Sequence, residues 1–177
     1  MTDTLPASMS PSDFGFLANN NLPSHEHIID ICRKAGQCPG ILLCSHSGEP
    51  IAWVKYGPNV AVHEALTQDW VAKNLEANPE ATVRVPRVYD AFSLTTTAWI
   101  IRFIVMEYID APDCTEKDVK CVAQAVQTLI SIRGPSSVPG HIGGGPVVHN
   151  FFDEWESPFR YRTVGELEQH VNGVSEH

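Results

Sequence analysis

Lys55 stands in the run Ala52-Trp53-Val54-Lys55-Tyr56-Gly57, and Glu64 follows it by nine positions. A lysine inside an apolar strand loses its hydration at high cost unless a carboxylate meets it, and a glutamate one turn into the next helix is a suitable partner. The plainer reading makes Lys55 an edge lysine reaching water and Glu64 a surface residue. His149 is the third candidate. It lies just beyond His141-Ile142-Gly143-Gly144-Gly145, where successive glycine N–H groups can form an anion-binding nest, and an imidazole there can act as general acid or base. No G-x-S-x-G elbow accompanies these glycines, so an esterase site is not indicated. Ser24-His25-Glu26-His27 offers two imidazoles, but at i, i+2 on a helix they point apart, which makes them solvated surface groups. No metal site is expected.

These residues need elements to hold them. Residues 1–23 are rich in Pro, Ser and Asn without periodicity and read as a flexible leader in which Phe14, Phe16 and Leu17 dock locally. Ser24 caps a helix carrying Ile28, Ile29, Ile31 and Cys32, which Gly36 ends. Ile41–Cys44 and Ile51–Tyr56, separated by turn-forming residues, read as a hairpin. A helix starting near Asn59 carries an apolar stripe of Val62, Ala65, Leu66, Trp70, Val71 and Leu75, and Pro79 closes it. Arg87–Phe92 and Trp99–Tyr108 read as strands, the second central to the sheet. Thr115-x-x-Asp118 caps a helix of about 17 residues whose buried face is Val119, Val122, Ala123, Val126, Leu129 and Ile130. An irregular stretch from Gly134 to Pro146 precedes a last helix that starts at Thr163-x-x-Glu166 and carries Leu167 and Val171. Strands early and helices late describe an α+β chain with a small antiparallel sheet packed on helices. The four tryptophans fall on different elements, which suits core packing better than a stacking surface.

Composition narrows the function classes. With 177 residues the chain suits one domain that buries roughly two-thirds of its unfolded surface. Twelve Lys+Arg against 21 Asp+Glu give a net charge of −9, which argues against nucleic acid and against anionic membranes as partners. The longest apolar run, Ala98–Met106, contains Arg102 and is far shorter than the ~20 residues a membrane helix needs. The N-terminus has no signal-peptide character, and the five cysteines are odd in number without C-x-x-C spacing. A cytoplasmic, reducing location with free thiols follows from these features.

Taken in order, Trp53-Val54-Lys55-Tyr56-Gly57, Glu64, Val85-Pro86-Arg87-Val88-Tyr89 and Ile104-Val105-Met106-Glu107-Tyr108-Ile109 resemble the start of a protein-kinase-like fold. More narrowly, they are similar to the fungal aminoglycoside/choline phosphotransferase-type kinases. The resemblance continues through Gly134-Pro135-Ser136-Ser137, Gly143-Gly144-Gly145-Pro146 and Arg160-Tyr161-Arg162-Thr163-Val164-Gly165-Glu166-Leu167, and covers residues 40–175. It implies a leader (1–23), a kinase-like N-lobe (24–112) and a partial helical C-lobe (113–177). It also implies that Lys55 and Glu64 form the pair that orients the lysine on phosphates, and that Met106, Glu107 and Tyr108 border the ligand cleft. The family's base and metal ligands come from a His-Gly-Asp…Asn loop and a later Asp. None of these motifs occurs here, and no G-x-G-x-x-G does either, so the chain reads as truncated and phosphoryl transfer and a cofactor are not expected.

The resulting expectation is a non-phosphorylating protein that binds a small molecule in the cleft between sheet and helices. One alternative is an ATP- and metal-independent biosynthetic enzyme of isomerase or cyclase type, using Lys55, Glu64 or His149. Another is a regulatory partner of a complete kinase. A homodimer is expected through the helix at Thr115–Ile132 and the Phe151-Phe152 region, unless the leader folds over that apolar face.

Overall fold

The computed structural model describes residues 15–174, apart from 37, 39, 98 and 154; Phe14 and Ala98 lie outside the described residues. Helix α1 (His25–Ala35) starts where Ser24 Oγ accepts the His27 N–H at 3.3 Å, and ends at Gly36, whose φ of +75° suits a residue without Cβ. Strands β1 (Ile41–Cys44) and β2 (Pro50–Gly57) form the hairpin, with Ser45 and Glu49 closing the turn. Helix α2 (Val62–Glu76) follows, then β3 (Val88–Thr95) and β4 (Ile100–Met106). The four strands form one antiparallel sheet in the order β1-β2-β4-β3.

Alternation along the strands divides the sheet into two apolar faces. Ala52, Val54, Phe103 and Val105 pack with Ile28 and Cys32 of α1. On the other face, Val88, Ala91, Ile104 and Met106 pack with Val62 and Ala65 of α2, and Trp53 lies against this cluster. Helices on both sides explain why β4 reads as an unbroken apolar run instead of an alternating one. Gly40 lies against the Trp53 indole so closely that a Cβ there would come within 2.6 Å of its Nε1.

The stripe on α2 differs from the sequence reading. Its buried residues are Val62, Ala65, Asp69, Ala72 and Leu75, whereas Leu66, Trp70 and Val71 are half-buried. Asp69, only 3% exposed, contacts Lys73 at 2.6 Å and Arg87 Nε at 3.5 Å, and Arg87 also bonds Glu76 at 2.6 Å. Gln68 Nε2 donates to the Pro86 carbonyl at 2.9 Å. Charge and hydrogen bonds thus stitch α2 to the segment entering β3.

Residues 15–24 run along this unit. Leu17 N–H bonds the Val88 carbonyl at 3.2 Å, Phe16 is half-buried against the α2-side cluster, and Lys73 Nζ donates to the Gly15 carbonyl. The docking of Phe16 and Leu17 is therefore on β3 and its surroundings.

After β4, Thr115 and Asp118 form a reciprocal capping box around a single 3-10 turn, Glu116–Asp118, that leads into α3 (Val119–Ser131). The expected burial of its apolar face is corrected here: no residue of α3 is buried, and Val119, Val122, Ala123, Val126, Leu129 and Ile130 are all exposed. Helical periodicity identifies an apolar stripe, but a stripe is buried only where another element faces it. The tryptophans divide similarly: Trp53 and Trp70 are half-buried, while Trp99 and Trp155 stand out at 68% and 66% exposure. Helix α4 (Val164–Val174) is capped by Thr163, and the loop before it is anchored by buried Phe152, Ser157 and Tyr161, with Tyr161 hydrogen-bonded to His170.

The network around Asp69 generates a contrast between two acids that share Arg87. Asp69→Ala leaves buried cations without a partner and is expected to cost about 3 kcal/mol in urea unfolding. Glu76→Ala, whose carboxylate is half exposed, is expected to cost less than about 1 kcal/mol.

Candidate functional site

Strand β2 presents Lys55 on the α2 side of the sheet, opposite Ile104 of β4, and the first turn of α2 passes over it. Lys55 Nζ donates to Glu64 Oε1 in an ion pair. The side chains are 41% and 37% exposed, so water screens the pair. The large penalty for breaking a buried pair does not apply at this exposure.

Glu64, Thr67 and Gln68 fall at i, i+3 and i+4 on one face of α2. Opposite them runs the glycine loop of residues 140–146. Together with Asn59, Ala61, His141 and Val148, the three α2 residues line an open cleft of about 410 Å³. Thr67 ties the two walls together: its Oγ1 donates to the His63 carbonyl at 2.9 Å and accepts the Ile142 N–H at 3.3 Å. The His63 and His141 rings stack with centroids 5.7 Å apart and an interplanar angle of 16°. His63 Nδ1 and His141 Nε2 are withdrawn from solvent without a hydrogen-bond partner. Burial, reinforced by His63, holds the His141 pKa below its usual value against the weaker pull of Glu156 and Glu64. Its neutral form therefore prevails at neutral pH.

The other sequence candidates are placed as follows. Met106 is buried, and its Sδ accepts from Gln68 Nε2 at 3.5 Å, so the end of β4 reaches the floor of the cleft through Gln68. Glu107 pairs with Arg84 and accepts the Arg87 N–H at 3.4 Å, which occupies its carboxylate. Tyr108 is half-buried, and its hydroxyl donates to Asp110 at 3.4 Å. His149 is exposed, and its Nδ1 accepts the Phe151 N–H at 3.1 Å within its own loop. It adjoins Val148 of the cleft wall, but among the described residues its hydrogen bonds do not lead to Lys55 or Glu64.

The far side of the sheet holds a second set of polar groups. His25, expected in water, instead bonds the buried Asp90 at 2.6 Å and stacks on Phe92 at 3.9 Å. The Tyr56 hydroxyl meets the Cys32 and Gly36 carbonyls and Cys38 Sγ, and burial pushes its pKa up. Burial likewise pushes the Cys32 thiol up to about 11, which leaves it protonated and unreactive. Among the described residues no three metal-ligating side chains converge, and no helix is long and apolar enough to cross a membrane.

The sequence reading missed His63, Thr67, Gln68 and the partnering of His141. The 64, 67, 68 spacing already marked a polar helix face, but the loop that closes on it is set by tertiary packing. Comparison with protein-family models, with curated proteins and with solved structures finds no match.

The half-exposed ion pair sets an upper bound on its own contribution. A double-mutant cycle with Lys55→Met and Glu64→Gln, followed by urea unfolding, is expected to give a coupling energy below about 1 kcal/mol.

Proposed function

We propose that this chain is a non-phosphorylating, kinase-like protein that binds a small anionic or aromatic molecule in the cleft between the sheet, α2 and the 140–148 loop. The observation that supports it is the Lys55–Glu64 pair at the edge of a concave site furnished with Asn59, Thr67, Gln68 and His141. Few convergent polar groups in a cleft of this size suit orientation of a small ligand. The resemblance of the strand-and-helix segments to kinase-type phosphotransferases supplies the kinase-like part of the reading. Phosphoryl transfer relies on positioning and metal-assisted charge neutralisation, and these 177 residues carry neither His-Gly-Asp nor Asp-Phe-Gly.

A thermal-shift panel of nucleoside mono-, di- and triphosphates and aromatic carboxylates tests this. A binder at a hundred times its Kd is expected to raise the Tm by roughly 5–10 °C. The shift should shrink in Thr67→Ala and Glu64→Gln proteins. A panel without any shift overturns the ligand-binding reading. Magnesium-dependent phosphate release that Lys55→Met abolishes overturns the non-phosphorylating one.

The reading includes a homodimer through α3. Cys121–Ser131 is an exposed helical stretch without a single charged residue, whereas Glu116 and Asp118 precede it and Arg133 follows it. Depletion of charge marks interface cores, and an antiparallel pair about a two-fold axis opposes the helix dipoles and sets Arg133 against the partner's acidic end. Light scattering at micromolar concentration should give twice 19.5 kDa, and Val126→Asp should give the monomer mass with unchanged circular dichroism. A wild-type monomer overturns the dimer.

A further inference from the structure

The stacked imidazoles do more than line a wall. His141 sits at the start of three consecutive glycines, and the backbone of Gly140, Gly143, Gly144 and Gly145 is left-handed, with φ between +86° and +133°. Side chains rarely adopt that region, so this path is open to glycine and can be redrawn at low cost. The loop also lies flat on α2. A Cβ at Gly143 would come within 3.2 Å of Leu66 Cδ1, and one at Gly145 within 3.7 Å of the His63 ring. Two contacts therefore hold the loop down: the single polar tie from Ile142 to Thr67, and the face of one imidazole on the other.

We propose that residues 140–146 form a lid over the cleft, latched to α2 by the stacking of His141 on His63 and released when His141 takes up a proton. The lid is a property of the loop and stands whether or not the cleft binds the molecules proposed above.

The charges around the pair decide the direction. From α2 come His63 itself and Glu64; from β2 comes Lys55, which already pairs with Glu64; and from the loop beyond comes Glu156. Glu64 is thus largely compensated, and Glu156 alone favours a proton on His141. Withdrawal from water and the adjacent imidazole oppose it and outweigh it, as the lowered His141 pKa indicates. The closed lid therefore disfavours the imidazolium, while the lifted lid returns His141 to water, where an imidazole titrates near pH ~6.5. The sign follows from linkage. Closure is fully favoured above about pH 6.5, and the closed-to-open ratio falls by up to about tenfold per pH unit below it, for the one proton gained on opening.

Hydrogen–deuterium exchange of the full chain across this range, corrected for the intrinsic pH dependence of amide exchange, reads the lid directly. The amides of Ile142 and Gly144 are hydrogen-bonded in the closed form, to Thr67 Oγ1 and the His141 carbonyl, and report its opening. Their protection is expected to drop by up to about tenfold per unit below pH ~6.5 while that of β4 stays constant. His141→Phe keeps a ring on His63 but has nothing to titrate, so its loop protection should be independent of pH. If that variant loses β4 protection as well, His141→Gln serves in its place, with the same flat profile expected. Loop protection that is absent at neutral pH, independent of pH in the wild type, or equally pH-dependent without His141 overturns the proposal.

Discussion

The carboxylate of Asp69 is the constraint on which the arrangement of this protein depends. It lies in the middle of the apolar face of α2, where a charge is tolerated only because Lys73 and Arg87 meet it. Arg87 stands at the entrance to β3, so satisfying Asp69 fixes the rotation of α2 relative to the sheet edge. That rotation in turn directs Glu64 toward Lys55, and Thr67 and Gln68 toward the glycine loop. An apolar side chain at position 69 would permit a tight interface as well, but not this single angular setting.

The two faces of the sheet are held by different means. On the α1 side, burial of Ile28, Cys32, Phe103 and Val105 is supplemented by the His25–Asp90 bond and by the Tyr56 hydroxyl closing the end of the helix. On the α2 side, the packing is thinner and ends in the water-accessible cleft. Rigidity on one face and an open polar margin on the other is the arrangement that binding sites built on small scaffolds require.

Much of this was legible in the sequence, and the failures share a cause. Ser24 and Gly36 bound α1 as read, the hairpin and both later strands exist within a few residues of their expected limits, and Lys55 finds Glu64. These features are local, or are joined by a short helix–strand connection. Asp69 was invisible because a lone acid in an apolar stripe resembles a solvent-facing interruption, and its cations are sequence-distant. His25 was misjudged for the same reason, since Asp90 comes from a strand 65 residues away. For α3 the period was right and the burial wrong: periodicity reports the helix and is silent about what stands opposite. The cleft wall at His141 and Val148 depends on how an irregular loop folds back, which no local pattern encodes.

Gly40 carries an implication for the history of the gene. A side-chain carbon there would displace the Trp53 indole, which lies against the same cluster as Met106, so every substitution at this position disturbs the face that supports Lys55. Selection acting on the fold therefore has no neutral alternative at codon 40, although most surface positions tolerate drift. Among natural variants of this chain, glycine at 40 distinguishes copies still maintained for their structure from copies already decaying.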